Sequence, residues 1–217
     1  MTVERVVFIR PGETEWNRVG RWQGIVNIPL NAHGINQAKR LAQFVRNIGL
    51  DALVASDLRR ARDTASILSE YANAPVTYDE RLRERDMGVW QGLTTHEIRD
   101  WYKKKYEELL EDPHNYKVPN GESRAEVEKR ASACFESIVG DSNATTIGII
   151  SHTTAIRTIL GAFVPDCKPY DMHFRNMSVT TIVRSDDTWR VTQLDDVMHL
   201  EGMPSTYIDE VESRAKT

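Results

Sequence analysis

Short, wholly apolar runs alternate along the chain with longer stretches in which apolar residues return every three or four positions. Val6-Val7-Phe8-Ile9, within residues 5–9, is rich in branched side chains and predicts a buried strand. It ends in the loop Arg10-Pro11-Gly12-Glu13-Thr14. After Asn31-Ala32-His33-Gly34, the residues Ile35, Ala38, Leu41, Ala42, Val45 and Ile48 recur at helical spacing, and Gly49 supplies a stop. Ala52 to Ala55 reads as a second strand. Residues 59–72 read as a second helix, with Ala61, Ala65, Leu68 and Tyr71 in phase, and Val76 to Tyr78 as a third strand. Two capping boxes, Thr94 with Glu97 and Ser123 with Glu126, mark helix starts. Between them a charged helix is expected from Ile98 to Glu111. Ala144 to Ile150 is the clearest buried strand; it runs into Ser151-His152, and a helix is expected from Thr154 to about Phe163. Val179 to Val183 and Trp189 to Leu194 flank Asp186-Asp187, a hairpin signal. The tail beyond Gly202 is polar, with Tyr207, Ile208 and Val211 placed to pack as a short helix.

The order β-α-β-α-β, then helices, then β-α-β-β implies an α/β fold: a three-layer α/β/α sandwich around a mostly parallel sheet. It is read as a single domain over 1–201, with a helical insertion or lid at 94–122 and a polar tail at 202–217. A solvated surface helix is an equally simple reading of the charged insertion. In such sheets ligands sit beyond the carboxyl ends of the strands. Arg10 to Asn17, Asp57 to Arg60 and Ser151-His152 are therefore expected to share a pocket.

Composition narrows the function classes. The chain has 217 residues, 40% hydrophobic and 28% charged, enough for one full core. A net charge of -4 argues against nucleic acid or a membrane surface as partner, but leaves small anions open, since a basic pocket can sit inside an acidic protein. The two cysteines, Cys134 and Cys167, stand far apart; Cys134 reads as a small core residue, and a disulfide between them is left open. No basic segment leads into an apolar one near Met1, and no run approaches a membrane span, so a cytoplasmic location is expected. His33, His96, His114, His173 and His199 are scattered without ligand spacing, so no metal and no cofactor is implied. Oligomeric state, including a homodimer, stays open.

The strand ends are chemically coherent. Arg10 follows the first strand, Arg59, Arg60 and Arg62 open the helix after the second, and His152 with Thr153 and Thr154 follows the last long parallel one. Arginine offers a planar fork that matches phosphate oxygens, and helix N-termini add backbone donors. Glu84, among Arg81, Arg83 and Arg85, supplies a carboxyl group able to act as an acid. Taken singly, each has a plainer reading: surface ion pairs for the arginines, an ion-pair network for Glu84, a structural role for the histidine. Their convergence on one sheet edge favours a site for a small phosphorylated or carboxylated compound.

These residues carry a family resemblance. Arg10-Pro11-Gly12-Glu13-Thr14-Glu15-Trp16-Asn17 resembles the RHGET-x-x-N signature of the histidine phosphatase superfamily, the phosphoglycerate-mutase-like proteins. Gly20-Arg21-Trp22-Gln23-Gly24 with Pro29-Leu30 and Gly34, then Ser56 to Ala61 with Thr64-Ala65, then Leu82-Arg83-Glu84 to Gly92, resemble further motifs in the right order. Gly121-Glu122-Ser123 and Ser151-His152 complete the set, over about 5–183. The resemblance implies that Arg10, Arg60 and His152 surround a phosphoryl group, that Asn17 and Gln23 assist, and that Glu84 protonates the leaving oxygen. It also implies that the attacking histidine is replaced by Pro11, whose saturated ring and tertiary amide carry no nucleophile, so the phosphohistidine route is closed. The favoured expectation is a phosphomonoester hydrolase working on a small phosphorylated metabolite without phosphohistidine at position 11, of the phosphatase rather than the mutase branch. The alternatives are a pseudophosphatase that binds a phosphorylated or anionic ligand, and different chemistry in the same pocket. Substrate choice is expected to depend on lid residues near Trp101, Tyr102 and Tyr106.

Overall fold

A computed structural model describes residues 3–165, 167–168 and 172–203. The tail segment with Tyr207, Ile208 and Val211 lies outside the described residues. The elements are β1 (Arg5–Ile9), α1 (Glu15–Arg18), α2 (Ala32–Ile48), β2 (Ala52–Ala55), α3 (Arg59–Ala72), β3 (Val76–Tyr78), α4 (Thr95–Trp101), α5 (Lys103–Glu111), α6 (Arg124–Asp141), β4 (Thr146–Ile150), α7 (Thr153–Phe163), β5 (Val179–Ser185) and β6 (Thr188–Asp196). One six-stranded sheet has the order β3-β2-β4-β1-β5-β6. Its first four strands pair in parallel, and β5 and β6 pair antiparallel.

Alternation along β1 builds both cores, because successive side chains leave opposite faces of a strand. Val6 and Phe8 pack with Ile147, Ile149 and residues of α6 and α7, including Phe135 and Ile159. Val7 and Ile9 pack with Leu53, Ala55 and residues of α2 and α3, including Leu41 and Leu68. Cys134 is buried in the first of these cores, and both cysteines are free thiols. A third cluster forms around the fully buried Trp90, with Trp22, Ile98, Tyr102, Tyr106, Leu109 and Tyr116.

Most helix signals in the sequence have a direct structural cause. Asn31 caps α2 by accepting from the Gly34 amide, and Gly49 closes it at φ 70°. Both capping boxes form. Asp186 and Asp187 take the positive φ values a two-residue hairpin turn requires. Three expectations are corrected. The charged helix expected from Ile98 to Glu111 is two helices, broken at Tyr102, whose φ of -128° leaves the helical region. Ile35 and Tyr71, read as core positions, sit at the solvent-facing margin. The loop after β1 carries a helix of its own, α1, whose cap Thr14 forms a capping box with Asn17. Among the described residues no helix is long and apolar enough to cross a membrane.

Candidate functional site

Beyond the carboxyl ends of β1, β2 and β4 lies a cleft of about 450 Å³. Arg10, Pro11, Gly12, Asn17, Gln23, Arg60, Glu84 and His152 all border it, so residues far apart in sequence meet there. Among the described residues its wall holds six arginines (Arg10, Arg21, Arg60, Arg85, Arg124 and Arg157) and one carboxylate, Glu84.

The β1 loop reaches the cleft because two glycines let it pass close to the start of α2. A Cβ on Gly12 would lie 2.6 Å from the Gly34 carbonyl oxygen, and one on Gly34 would lie 2.1 Å from that of Glu13. The Gly12 amide donates to Thr64 Oγ1 at 3.3 Å. Glu13, which the motif brings along, is buried away from the chemistry: its amide donates to Gln37, and its carboxylate accepts from Asn31. From the far side, the Met177 amide donates to the carbonyls of Arg10 and Pro11, and Asn176 Nδ2 donates to the Pro11 carbonyl at 3.0 Å. Asn176 lines the cleft and was not singled out from sequence; neither it nor the φ of 59° at the following Met177 has a marker in the residue types.

Arg60 is buried with its fork aimed across the cleft floor. Nη2 donates to the Gly24 carbonyl at 2.8 Å, Nη1 to that of Val26 at 3.0 Å, and Nε to His152 Nδ1 at 3.2 Å. Burial, and then repulsion by Arg10, push its pKa down to about 10 against the attraction of Glu84, so it stays cationic at neutral pH. Because His152 Nδ1 accepts from Arg60, the proton of the neutral ring is assigned to Nε2. That Nε2 and Gln23 Oε1 are both buried and have no partner among the described residues. Buried polar atoms are rarely left unpaired, so two such atoms at one cleft mark a place for a polar ligand.

Burial, then the charges of Arg60, Arg10 and Arg130, hold the His152 pKa well below 6.5. The unfolded chain therefore takes up this proton first. Stability is whole above about pH 6.5 and falls as the pH drops below it, by up to about 1.4 kcal/mol per pH unit. Urea unfolding between pH 7 and 5 should show this slope, flattened in His152→Gln; an unchanged slope in that variant would contradict the assignment. His199, also buried and shifted downward by burial, adds in the same direction.

Glu84 sits between the cleft and the start of α7. Its carboxylate accepts from the Thr154 amide at 3.1 and 3.2 Å and from the Arg85 amide at 2.8 Å. The plainer reading of Glu84, an ion-pair network with its sequence neighbours, does not hold among the described residues: Arg81 pairs with Asp79, Arg83 with Asp57, and Arg85 donates to the carbonyls of Glu122 and Tyr116.

The remaining expectations are corrected. Asp57 and Arg59 stay outside the cleft: Asp57 is held by Arg83, and Arg59 pairs with Asp63. Arg62 turns away to stack on Tyr78. Of the insertion, Trp101 is 65% exposed and Tyr102 and Tyr106 pack on Trp90, while Leu109, close to them in sequence, borders the cleft with Trp22 and Met87.

The sequence model described as histidine phosphatase superfamily (branch 1) matches residues 6–197. The chain is 32% identical over 160 residues to phosphoserine phosphatase 1 of Hydrogenobacter thermophilus, covering 74% of this chain and 76% of that protein. It is 31% identical to a probable phosphoglycerate mutase of Citrobacter koseri, covering 91% and 95%. Among solved structures it is similar to a mycobacterial glucosyl-3-phosphoglycerate phosphatase determined with VO3: TM-score 0.82, 28% identity, covering 90% and 100%.

Proposed function

Because the chain belongs to the histidine phosphatase superfamily, we propose that its cleft binds a small phosphomonoester and hydrolyses it by direct attack of water, without a phosphohistidine at position 11. The observation that carries this is the grouping of Arg10, Arg60, Glu84 and a His152 Nε2 unpartnered among the described residues around one cleft with room for a phosphomonoester, which Pro11 also borders. Arg10 and Arg60 neutralise the phosphoryl oxygens, and His152 donates its Nε2 proton to one of them as a hydrogen bond. Water forms the new P–O bond as the ester P–O bond breaks. Glu84, as general acid, gives a proton to the departing oxygen, and the proton released by the attacking water returns to its carboxylate. The relatives named as phosphatases and as a mutase support a phosphorylated substrate.

A second reading has its own observation. Arg60 occupies the Nδ1 lone pair of His152, and Nε2 carries the proton, so this imidazole cannot stand in for a missing nucleophile. That favours a pseudophosphatase that binds without turnover.

Calorimetric titration with inorganic phosphate and phosphoglycerates, beside a phosphoester turnover panel, separates the two. For a hydrolase, Glu84→Gln should cut turnover of alkyl phosphates by roughly a hundredfold or more. Phosphate binding should hold or tighten, since a carboxylate that repels the dianion is gone. Binding with no turnover above background establishes the pseudophosphatase, and absence of both defeats the pocket assignment.

A further inference from the structure

Arg130, in α6, does not border the cleft, yet it reaches the residue that does the cleft's acid chemistry. A guanidinium has five N–H donors. In Arg130 all five are engaged. Nε donates to Glu122 Oε1 at 2.9 Å. Nη1 donates to the carbonyls of Arg81 and Arg83, both at 2.8 Å. Nη2 donates to the Glu84 carbonyl at 2.9 Å and to Glu122 Oε2 at 2.8 Å. No donor is left for a ligand. Glu122 completes the arrangement from the other side: its carboxylate also accepts from the Asp86 amide at 3.0 Å, and its own amide donates to the Asp86 carbonyl at 2.9 Å. Arg85 Nε returns a hydrogen bond to the Glu122 carbonyl at 2.7 Å. The backbone on both sides of Glu84 is thus fixed to a single planar fork and a single carboxylate.

We propose that Arg130, with Glu122, is a positioning residue that sets where the Glu84 carboxyl stands relative to the leaving oxygen. This rests on the reading of Glu84 as the acid. Three neighbouring carbonyls and a bidentate carboxylate match the geometry of a fork and not that of a point charge, so lysine cannot substitute. A carboxyl displaced by about an ångström loses on the order of a hundredfold in proton transfer to a poor leaving group. It loses little with a leaving group that departs without a proton.

The test uses Arg130→Lys and Arg130→Met in the full chain, with two readouts. In amide hydrogen exchange, the Arg85 and Thr154 amides, which donate to Glu84, should exchange roughly tenfold faster or more, with Ile149 and Ile150 of β4 unchanged. In a Pro11→His background, hydrolysis of an alkyl phosphate should fall roughly thirtyfold or more, and that of p-nitrophenyl phosphate less than about threefold. Unchanged exchange at Arg85 and Thr154 overturns the proposal. So does acceleration at every amide, or an equal loss on both substrates, because either marks a residue that only supports the fold. If Glu84→Gln in the same background fails to separate the two substrates while the exchange result stands, Glu84 is placed by Arg130 but is not the acid, and it is the reading of Glu84 that falls.

Discussion

Replacing Pro11 with histidine is expected to raise phosphomonoester turnover by roughly three to six orders of magnitude and to make a phosphoenzyme trappable by acid-free quench of a labelled substrate. Loss of a nucleophile in an unrelated hydrolase costs on the order of a millionfold, and the groups that survive such a loss, charge stabilisation and positioning, are the ones grouped here. The backbone is ready for the exchange. Position 11 is held through its carbonyl by Asn176 and Met177, contacts any residue type keeps. Histidine adopts the φ that proline imposes. The variant gives up the rigidity of the proline in the unfolded chain, worth about 0.4–1 kcal/mol, a small part of total stability. Its turnover should therefore be measured on folded protein that still binds phosphate. Unchanged turnover with no phosphoenzyme in such protein would mean that position 11 does not face the phosphorus.

Arg60→Met should weaken phosphate binding by roughly a hundredfold or more while changing ligand-free stability by only about 1–2 kcal/mol. Two opposing effects account for the small second number. The variant strands the Gly24 and Val26 carbonyls and frees His152 Nδ1, each loss costing about 1–3 kcal/mol. It also removes a buried cation that has no carboxylate within ion-pair distance among the described residues, relieving a desolvation cost of similar size. Affinity has no such offset, because charge-assisted bonds to the ligand are worth about 1.5–3 kcal/mol each and the fork supplies more than one. Thermal shift with and without phosphate reads both quantities. A variant that binds phosphate as well as the parent would remove Arg60 from the site.

Strands β1 and β4 were legible because four residues without a charged or strongly polar side chain, ending in charged or polar types, fit a buried strand and little else, and the cleft follows from where those strands end. Which arginine of a helix start enters the cleft was legible from the family resemblance, which singles out Arg60, and not from residue type or helical position alone. Arg59 and Arg60 differ by one position, about 100° around α3, and only the register of α3 against the sheet decides that Arg60 turns inward and Arg59 meets Asp63. The environment of Glu84 was hidden. The side chains of its three arginine neighbours in sequence find partners elsewhere, and its supports are the backbone amides of Arg85 and Thr154 and a guanidinium 46 residues away. The break at Tyr102 leaves no trace in composition, since the residues on either side are ordinary helix formers. Aromatic residues in the insertion suggested substrate contacts, but burial against Trp90 claims Tyr102 and Tyr106 first.

The sheet order has a consequence for how the protein is made. β1 lies between β4 and β5, strands that the ribosome delivers roughly 140 and 175 residues later, so the first strand synthesised waits for almost the last. A nascent chain ending before β4 holds Arg10 and Arg60 without His152 and with both edges of β1 unpaired. High contact order of this kind slows folding and leaves intermediates prone to aggregation, so anion affinity should emerge in one late step of synthesis, not gradually.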